Sequence, residues 1–271
     1  MSLITNSSAW TADEHKMFAD STRKLFDAEM APNIEKWAEQ GIVDRDFWKT
    51  VGQQGVMGGS IAEEYGGFGG GIGFDAITVY EQGRTGDTGW GYGIQSIVIH
   101  YLNAYGSEEQ KKKWLPKLVS GDSVAAIAMT EPGTGSDLQN VQTHAEKDGN
   151  HYKINGSKIF ITNGHTADLV VIVAKTDRIA GAKGVSLIVL ETEDAEGFRR
   201  GRNLKKLGMK GSDTAELFFE DCRVPVENLI GPENGGFYCI MSNFQMERLI
   251  LAVTANSTAQ LALDEAMRYL K

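Results

Sequence analysis

The sequence predicts an α+β chain in three consecutive parts: an all-helical N-terminal domain (residues 1–121), a middle antiparallel β-domain (122–231) and the start of a C-terminal helical bundle (232–271). Three observations predict it. Apolar residues recur at threes and fours up to about residue 120; the period falls towards two from Ser123 to about Leu229; and the helical period returns from Glu233 to Lys271.

In the first part, Phe18, Leu25, Phe26, Met30 and Ile34 mark one face of a helix over residues 14–37, opened by Thr11 and Glu14 in the pattern of a capping box. A second helix covers 45–54. Residues 63–73 read EEYGGFGGGIG, too glycine-dense for a helix interior or a strand, and form a flexible connection to helices at 74–82 and 91–105. Residues 107–118 make a short helix with Glu108 and Glu109 in its first turn and Lys111, Lys112, Lys113 and Lys117 later, the order that the helix dipole prefers.

The middle part carries the runs AAIAMT, HYKINGSKIFITNG, LVVIVAKT, GVSLIVLE and AELFFEDCRVP, set apart by Asp-Gly, Asn-Gly and Gly-Ser turns. No helical crossover intervenes, so the strands form an antiparallel sandwich or barrel and not a doubly wound sheet. The last part runs up to 39 residues without proline. Its Leu261, Leu263, Met267 and Leu270 have no following helix to pack against, and a helix of about 35 residues is about three times the mean. The expectation is a chain that lacks most of a bundle.

Composition narrows the function. The 271 residues carry 27 Lys+Arg against 36 Asp+Glu, a net charge of −9, with no basic stripe, which argues against a nucleic-acid ligand. The longest apolar runs, such as residues 169–174, fall far short of the ~20 residues that span a bilayer. Cys222 and Cys239 form no CxxC pair, and the five histidines have no metal spacing, so neither disulfide framework nor metal site is expected. Residues 1–10 lack the basic flank and apolar stretch of a signal peptide; the expected localisation is cytoplasmic.

The glycines do not make a nucleotide-phosphate motif: no GxGxxG and no Gly-Lys occurs. The segment MTEPGTGSD (129–137) gathers three hydroxyls around a tight turn and two glycines, and suits a polar, planar ligand. In KIFITNG (158–164), Phe160 and Thr162 are two apart and so share a strand face, an aromatic ring with a hydroxyl beside it. Glu247 falls on the apolar helical stripe of Phe237, Ile240, Met241, Phe244 and Leu251. Desolvation there would raise its pKa towards that of a working general base, while Arg248 stands about 100° round the helix.

The succession AEEYGG (62–67), MTEPGTGSD (129–137), GSKIFITNG (156–164), KLGMKGSDTAELFFEDCRVP (206–225) and NFQMERL (243–249) resembles the acyl-CoA dehydrogenase family, from the first helix to the last residue. The resemblance implies FAD and acyl-CoA held between the three parts, dehydrogenation to a trans-2-enoyl-CoA, electron transfer to an electron-transferring flavoprotein, and a homotetramer. It implies that Ile127, Met129, Thr130 and Ser136 border the flavin, with Ser136 also touching acyl-CoA. Phe160, Ile161 and Thr162 would flank the ring, Thr162 bonding its N5 edge; the family usually has Trp where Phe160 stands. Glu247 matches the family's helix-borne catalytic base, as in isovaleryl-CoA and long-chain dehydrogenases, and Tyr238, Gln245 and Arg248 match substrate contacts. The resemblance further implies that the backbone N–H of Glu247 polarises the thioester carbonyl and that residues 91–100 help floor the acyl pocket. Lys183, Lys205, Lys206 and Lys210 are candidates for the CoA phosphates, and the Glu247 position favours branched or long acyl chains. Alternatives are an acyl-CoA oxidase or flavin monooxygenase relative, and a non-catalytic fragment that keeps the fold.

Overall fold

The computed structural model describes residues 11–271, so the reading of residues 1–10 lies outside the described residues. Helix α1 (Asp13–Leu25) is capped at Ala12, whose N–H donates to His15 Nδ1 at 3.2 Å, so His15 takes the reach-back role expected of Glu14. The long helix expected over 14–37 is interrupted. Residues Phe26–Met30 form a π turn and Ala31–Asn33 a 3-10 turn before α2 (Ile34–Gln40). Pro32 has no N–H to continue an α ladder, and the wider turn carries both Phe26 and Met30 fully into the core.

Helices α3 (Arg45–Gln53), α4 (Gly73–Arg84), α5 (Tyr92–Tyr105) and α6 (Glu108–Val119) complete the helical part. Ser107 caps α6, its hydroxyl accepting from Gln110 N–H while Gln110 bonds the Ser107 N–H in return. Trp90 is the centre of an aromatic core: it stacks on Tyr92 at 4.9 Å and receives Phe26, Phe47 and Trp48 edge-on. The glycine-rich connection is pinned rather than free. Gly69 and Gly70 N–H groups bond Ile61 O and Gly59 O at 2.7 and 3.0 Å. A Cβ on Gly67 would lie 2.0 Å from Ile61 O, so the glycines permit close backbone contact.

The strands are β1 (Ala125–Ala128), β2 (His144–Asp148), β3 (His151–Thr162), β4 (Leu169–Lys175), β5 (Val185–Glu191), β6 (Phe198–Asn203), β7 (Thr214–Pro225) and β8 (Leu229–Ile230). They run β6-β7-β3-β2-β4-β5-β8, antiparallel at β6–β7, β7–β3, β3–β2, β4–β5 and β5–β8. Two parallel pairings join this antiparallel frame: β1 along β4, and a single bridge from β2 to β4. Asn155-Gly156 is no turn. It lies inside β3 at a bulge where Gly156 meets Thr143, and a Cβ would approach that side chain to 2.4 Å.

Alternation along β4 places the sheet between two cores. Leu169, Val171 and Val173 join α5 and α6 on one side; Val170, Ile172 and Ala174 join the β7–β3 side on the other. Every residue of β4 is therefore buried, at about 1.5–3 kcal/mol for each large apolar side chain. Helix α7 (Gly236–Tyr269) crosses α4, where Ser257 Oγ donates to Tyr80 O at 2.5 Å. Beyond that crossing Leu263, Met267 and Leu270 are exposed. Among the described residues no helix is long and apolar enough to cross a membrane.

Candidate active site

Strand β1 is too short and small-sided to hide its outward residues. Ala126 and Ala128 sink into the core shared with β3 and β7, which turns Ile127 and then Met129 half-buried towards the other core, the one α5 joins and against which Phe237 and Phe244 of α7 also pack. Thr130 follows, its carbonyl accepting from Ile159 N–H at 3.0 Å, so the end of β1 lies against the end of β3. There a bulge inserts one residue: Lys158 and Ile161 both face inward, and Phe160 is thrown out at φ 61°, 63% exposed. A bulky residue with positive φ is strained, and such strain collects at functional sites. Thr162 is half-buried on the outer side, whereas the Ile161 side chain is buried among Ala215 and Leu217. Only the backbone of Ile161 can therefore face a ligand in front of Phe160. Ser136 is exposed on the 129–137 loop.

Beneath this surface lies an ion pair that sequence reading missed. Lys158 Nζ, fully buried, donates to Glu131 Oε1 at 2.9 Å, to Met129 O at 2.9 Å and to Val173 O at 2.7 Å. Glu131 in turn accepts the N–H groups of Gln142 and Thr143 at 2.6 and 2.9 Å. Burial pulls the Lys158 amine down to about 8, and although burial opposes it, the Lys158 charge and the backbone donors hold the Glu131 carboxyl below its ordinary range. Asn163, at φ 63°, donates its amide to Gly91 O and Ala125 O, both at 3.0 Å, tying the end of β3 to β1 and to the start of α5. Buried Asp213 holds the following turn through the N–H groups of His165 and Thr166 at 2.6 and 3.0 Å. The signal available in sequence was polarity inside apolar runs, as at Lys158 and Asn163.

Helix α7 presents two neighbouring stripes. Ile240, Phe244 and Glu247 lie on the inner one, with Ile240 buried and Phe244 and Glu247 half-buried; Met241 and Leu251, expected with them, are 39% and 67% exposed. Burial pushes the Glu247 carboxyl up, against the smaller pull of Tyr101 and Arg248. Tyr101 on α5 donates its hydroxyl to Glu247 Oε1 at 3.2 Å. Tyr238, Gln245 and Arg248 share the outer stripe and are exposed, Arg248 stacking over Phe244 at 5.3 Å. One expectation fails: Glu247 lies inside an uninterrupted α-helix, so its backbone N–H is committed to the carbonyl four residues earlier and cannot polarise a thioester.

The four lysines separate in role. Lys206 bonds Thr214 Oγ1 at 2.6 Å and the carbonyl of Ser212, so its ammonium already has a partner within the fold. Lys205 and Lys210 are exposed beside it and line a groove of about 340 Å³ against Gln40 and Gly41. Lys183 is exposed on the Gly181–Gly184 turn, which packs on Leu138–Asn140.

A flavin ring is apolar across its faces and polar along its edge. Exposed Phe160, the hydroxyls of Thr130, Ser136 and Thr162, and Gly133 and Gly135, where a Cβ would meet nothing within 4 Å, offer that combination. The one buried carboxylate of the loop, Glu131, is engaged by Lys158 and does not oppose an electron-rich ligand.

Known proteins share this arrangement. Residues 12–122 match the family model described as acyl-CoA dehydrogenase, N-terminal domain, and residues 126–222 that described as acyl-CoA dehydrogenase, middle domain. The chain is 46% identical over 263 residues to the long-chain specific acyl-CoA dehydrogenase, mitochondrial, of Sus scrofa, covering 96% of this chain and 61% of that protein. It is 39% identical over 265 residues to the isovaleryl-CoA dehydrogenase, mitochondrial, of Pongo abelii, covering 96% of this chain and 62% of that protein. It thus spans less than two thirds of the length of these relatives. The crystal structure of acyl-CoA dehydrogenase from Geobacillus kaustophilus superposes with a TM-score of 0.95 at 43% identity, covering 98% of this chain and 70% of that one.

Proposed function

The chain belongs to the acyl-CoA dehydrogenase family, and from that premise we propose that the protein is an FAD-dependent dehydrogenase that converts an acyl-CoA thioester to trans-2-enoyl-CoA. The observation that carries the proposal is Glu247: a half-buried carboxyl on the inner face of α7, shifted upward by burial and held by a tyrosine hydroxyl. The thioester carbonyl acidifies the α-proton, and a carboxylate with a raised pKa is matched to remove it. Bound FAD supplies the acceptor for the β-hydrogen with its electron pair. Ile127, Met129, Thr130 and Ser136, with Phe160, the backbone of Ile161 and Thr162, would hold the flavin. Ser136 with the outer stripe of Tyr238, Gln245 and Arg248 would meet the acyl-CoA, and Lys183, Lys205 and Lys210 are free to meet its phosphates.

Branched or long acyl chains are the favoured substrates, a reading supported by the long-chain and isovaleryl relatives. Electrons pass to an electron-transferring flavoprotein, the working assembly is a homotetramer, and the location is cytoplasmic in this reading, although both named relatives are mitochondrial.

The test is the visible spectrum of the FAD-loaded protein during anaerobic addition of isovaleryl-CoA. Bleaching of the flavin band is expected, with Glu247→Gln slowing it by about 10²–10⁴-fold. Undiminished bleaching in Glu247→Gln would remove Glu247 as the base, and failure to take up FAD would overturn the proposal. Fast turnover with oxygen alone would make the protein an oxidase, and a substrate profile peaking at butyryl-CoA would reject the chain-length reading.

A further inference from the structure

We propose that Tyr101 is the positioning residue of the base: its hydroxyl holds Oε1 of Glu247, leaving Oε2 as the oxygen that accepts the α-proton. The inference rests on Glu247 being that base. Tyr101 has no solvent exposure, and its ring is packed among α5, α6 and the sheet, with Tyr105 at 6.2 Å between centroids. A phenol so enclosed cannot swing to water, so its 3.2 Å bond to Glu247 Oε1 is set by the core and not by a mobile side chain. It joins α5 to the inner stripe of α7.

The bond also favours the charged carboxylate. The titratable groups facing Glu247 are Tyr101 from α5 and Arg248 from its own helix, while Tyr105 and Cys239 flank Tyr101. Arg248 is exposed and drawn to the ring of Phe244, leaving Tyr101 as the fixed donor. A phenolic O–H can donate to the carboxylate but gains nothing comparable from the protonated acid, so it stabilises the form that abstracts a proton. Burial alone favours the protonated acid. Tyr101 limits that rise and orients the lone pairs at the same time.

The experiment is a ¹³C NMR titration of the protein carrying [δ-¹³C]glutamate and [ζ-¹³C]tyrosine, with Glu247→Gln and Tyr101→Phe assigning the two resonances. In the unmodified protein the Tyr101 ζ-carbon should shift with the midpoint of the Glu247 carboxyl. Tyr101→Phe should raise that midpoint by about 1 pH unit, whereas Tyr105→Phe, whose hydroxyl meets Ser242 and Cys239 O rather than Glu247, should leave it in place. An unmoved or lowered midpoint in Tyr101→Phe, or a Tyr101 ζ-carbon that ignores the Glu247 titration, overturns the proposal. Once assigned, the ζ-carbon is read in the unmodified protein. Separately, wash-out of the α-deuteron of a labelled acyl-CoA that persists undiminished in Glu247→Gln would defeat the base assignment, even with the Tyr101–Glu247 coupling intact.

Discussion

At the scale of single residues, one half-buried and one buried charge carry opposite signs of evidence. Glu247 keeps its proton more tightly folded than unfolded, because burial raises it above its ordinary 4.5. The native state therefore binds more protons in that window, so stability falls as pH climbs from 4.5 through the folded value, and the full penalty stands above it. Glu247→Gln should accordingly raise the melting temperature near neutral pH, with the advantage fading on acidification; a constant difference across pH would contradict this. Lys158 is the reverse case, a charge whose partner is present. Lys158→Met would strand Glu131 and should cost about 3–5 kcal/mol in denaturant unfolding, with the added change Glu131→Gln recovering part of the loss. Equal destabilisation by single and double variants would show that the two do not act as a pair. Glu247 was legible in the sequence because it interrupts a periodic apolar stripe. The pairings of Lys158 with Glu131 and of Tyr101 with Glu247 were not, since the partners lie 27 and 146 residues apart, which no local period encodes.

At the scale of elements, periodicity located α3 to α7 and strands β1, β3, β4, β5 and β7 but passed over β2 and β6, and its failures have local causes. A 3.6 period continues through residues 26–33 because a π turn shifts its registry by only one residue, while Pro32 removes the N–H that an α ladder needs. Likewise a period of two reads Phe160 and Thr162 as strand neighbours on one face, but cannot see that one inserted residue throws Phe160 out at positive φ while Lys158, two residues before it, stays inward. The parallel partner of β1 was also hidden, because its small alanines fit either direction. Packing of α7 depends on a site equally quiet in sequence. A Cβ on Gly83 of α4 would lie 2.6 Å from Ser257 Oγ. Gly83→Ala should thus destabilise by about 1–3 kcal/mol despite its better helix propensity, and Ser257→Gly should restore part of it. A neutral or stabilising Gly83→Ala would mean that α4 and α7 can separate there without loss.

At the scale of the molecule, the helices and the sheet share one core and should unfold as one body. Gln95, buried on α5, donates to Leu118 O and Ser123 O at 2.9 and 3.0 Å and accepts from Ala125 N–H at 2.7 Å. Gln110 reaches Glu227 O and Leu229 O, Trp114 reaches Glu191, and Arg45 reaches Thr166 O and Asp122 O, so the contact is stitched along its length. This matters because the candidate site uses both bodies: Ile127 and Met129 come from the sheet, Tyr101 and Glu247 from helices, and separation would part the flavin residues from the base. Trp37, Trp48, Trp90 and Trp114 are buried in the helical part, so their fluorescence reports it, while the amide infrared band of the strands reports the sheet. The two melting curves should coincide, and Gln95→Leu, which orphans one buried N–H and two carbonyls, should lower both midpoints together at about 1–3 kcal/mol for each group left unpaired. Melting curves that separate, or a Gln95→Leu effect confined to the tryptophan signal, would mean that the helices can leave the sheet on their own, and the geometry between base and flavin residues would then have to be set by something other than this shared core.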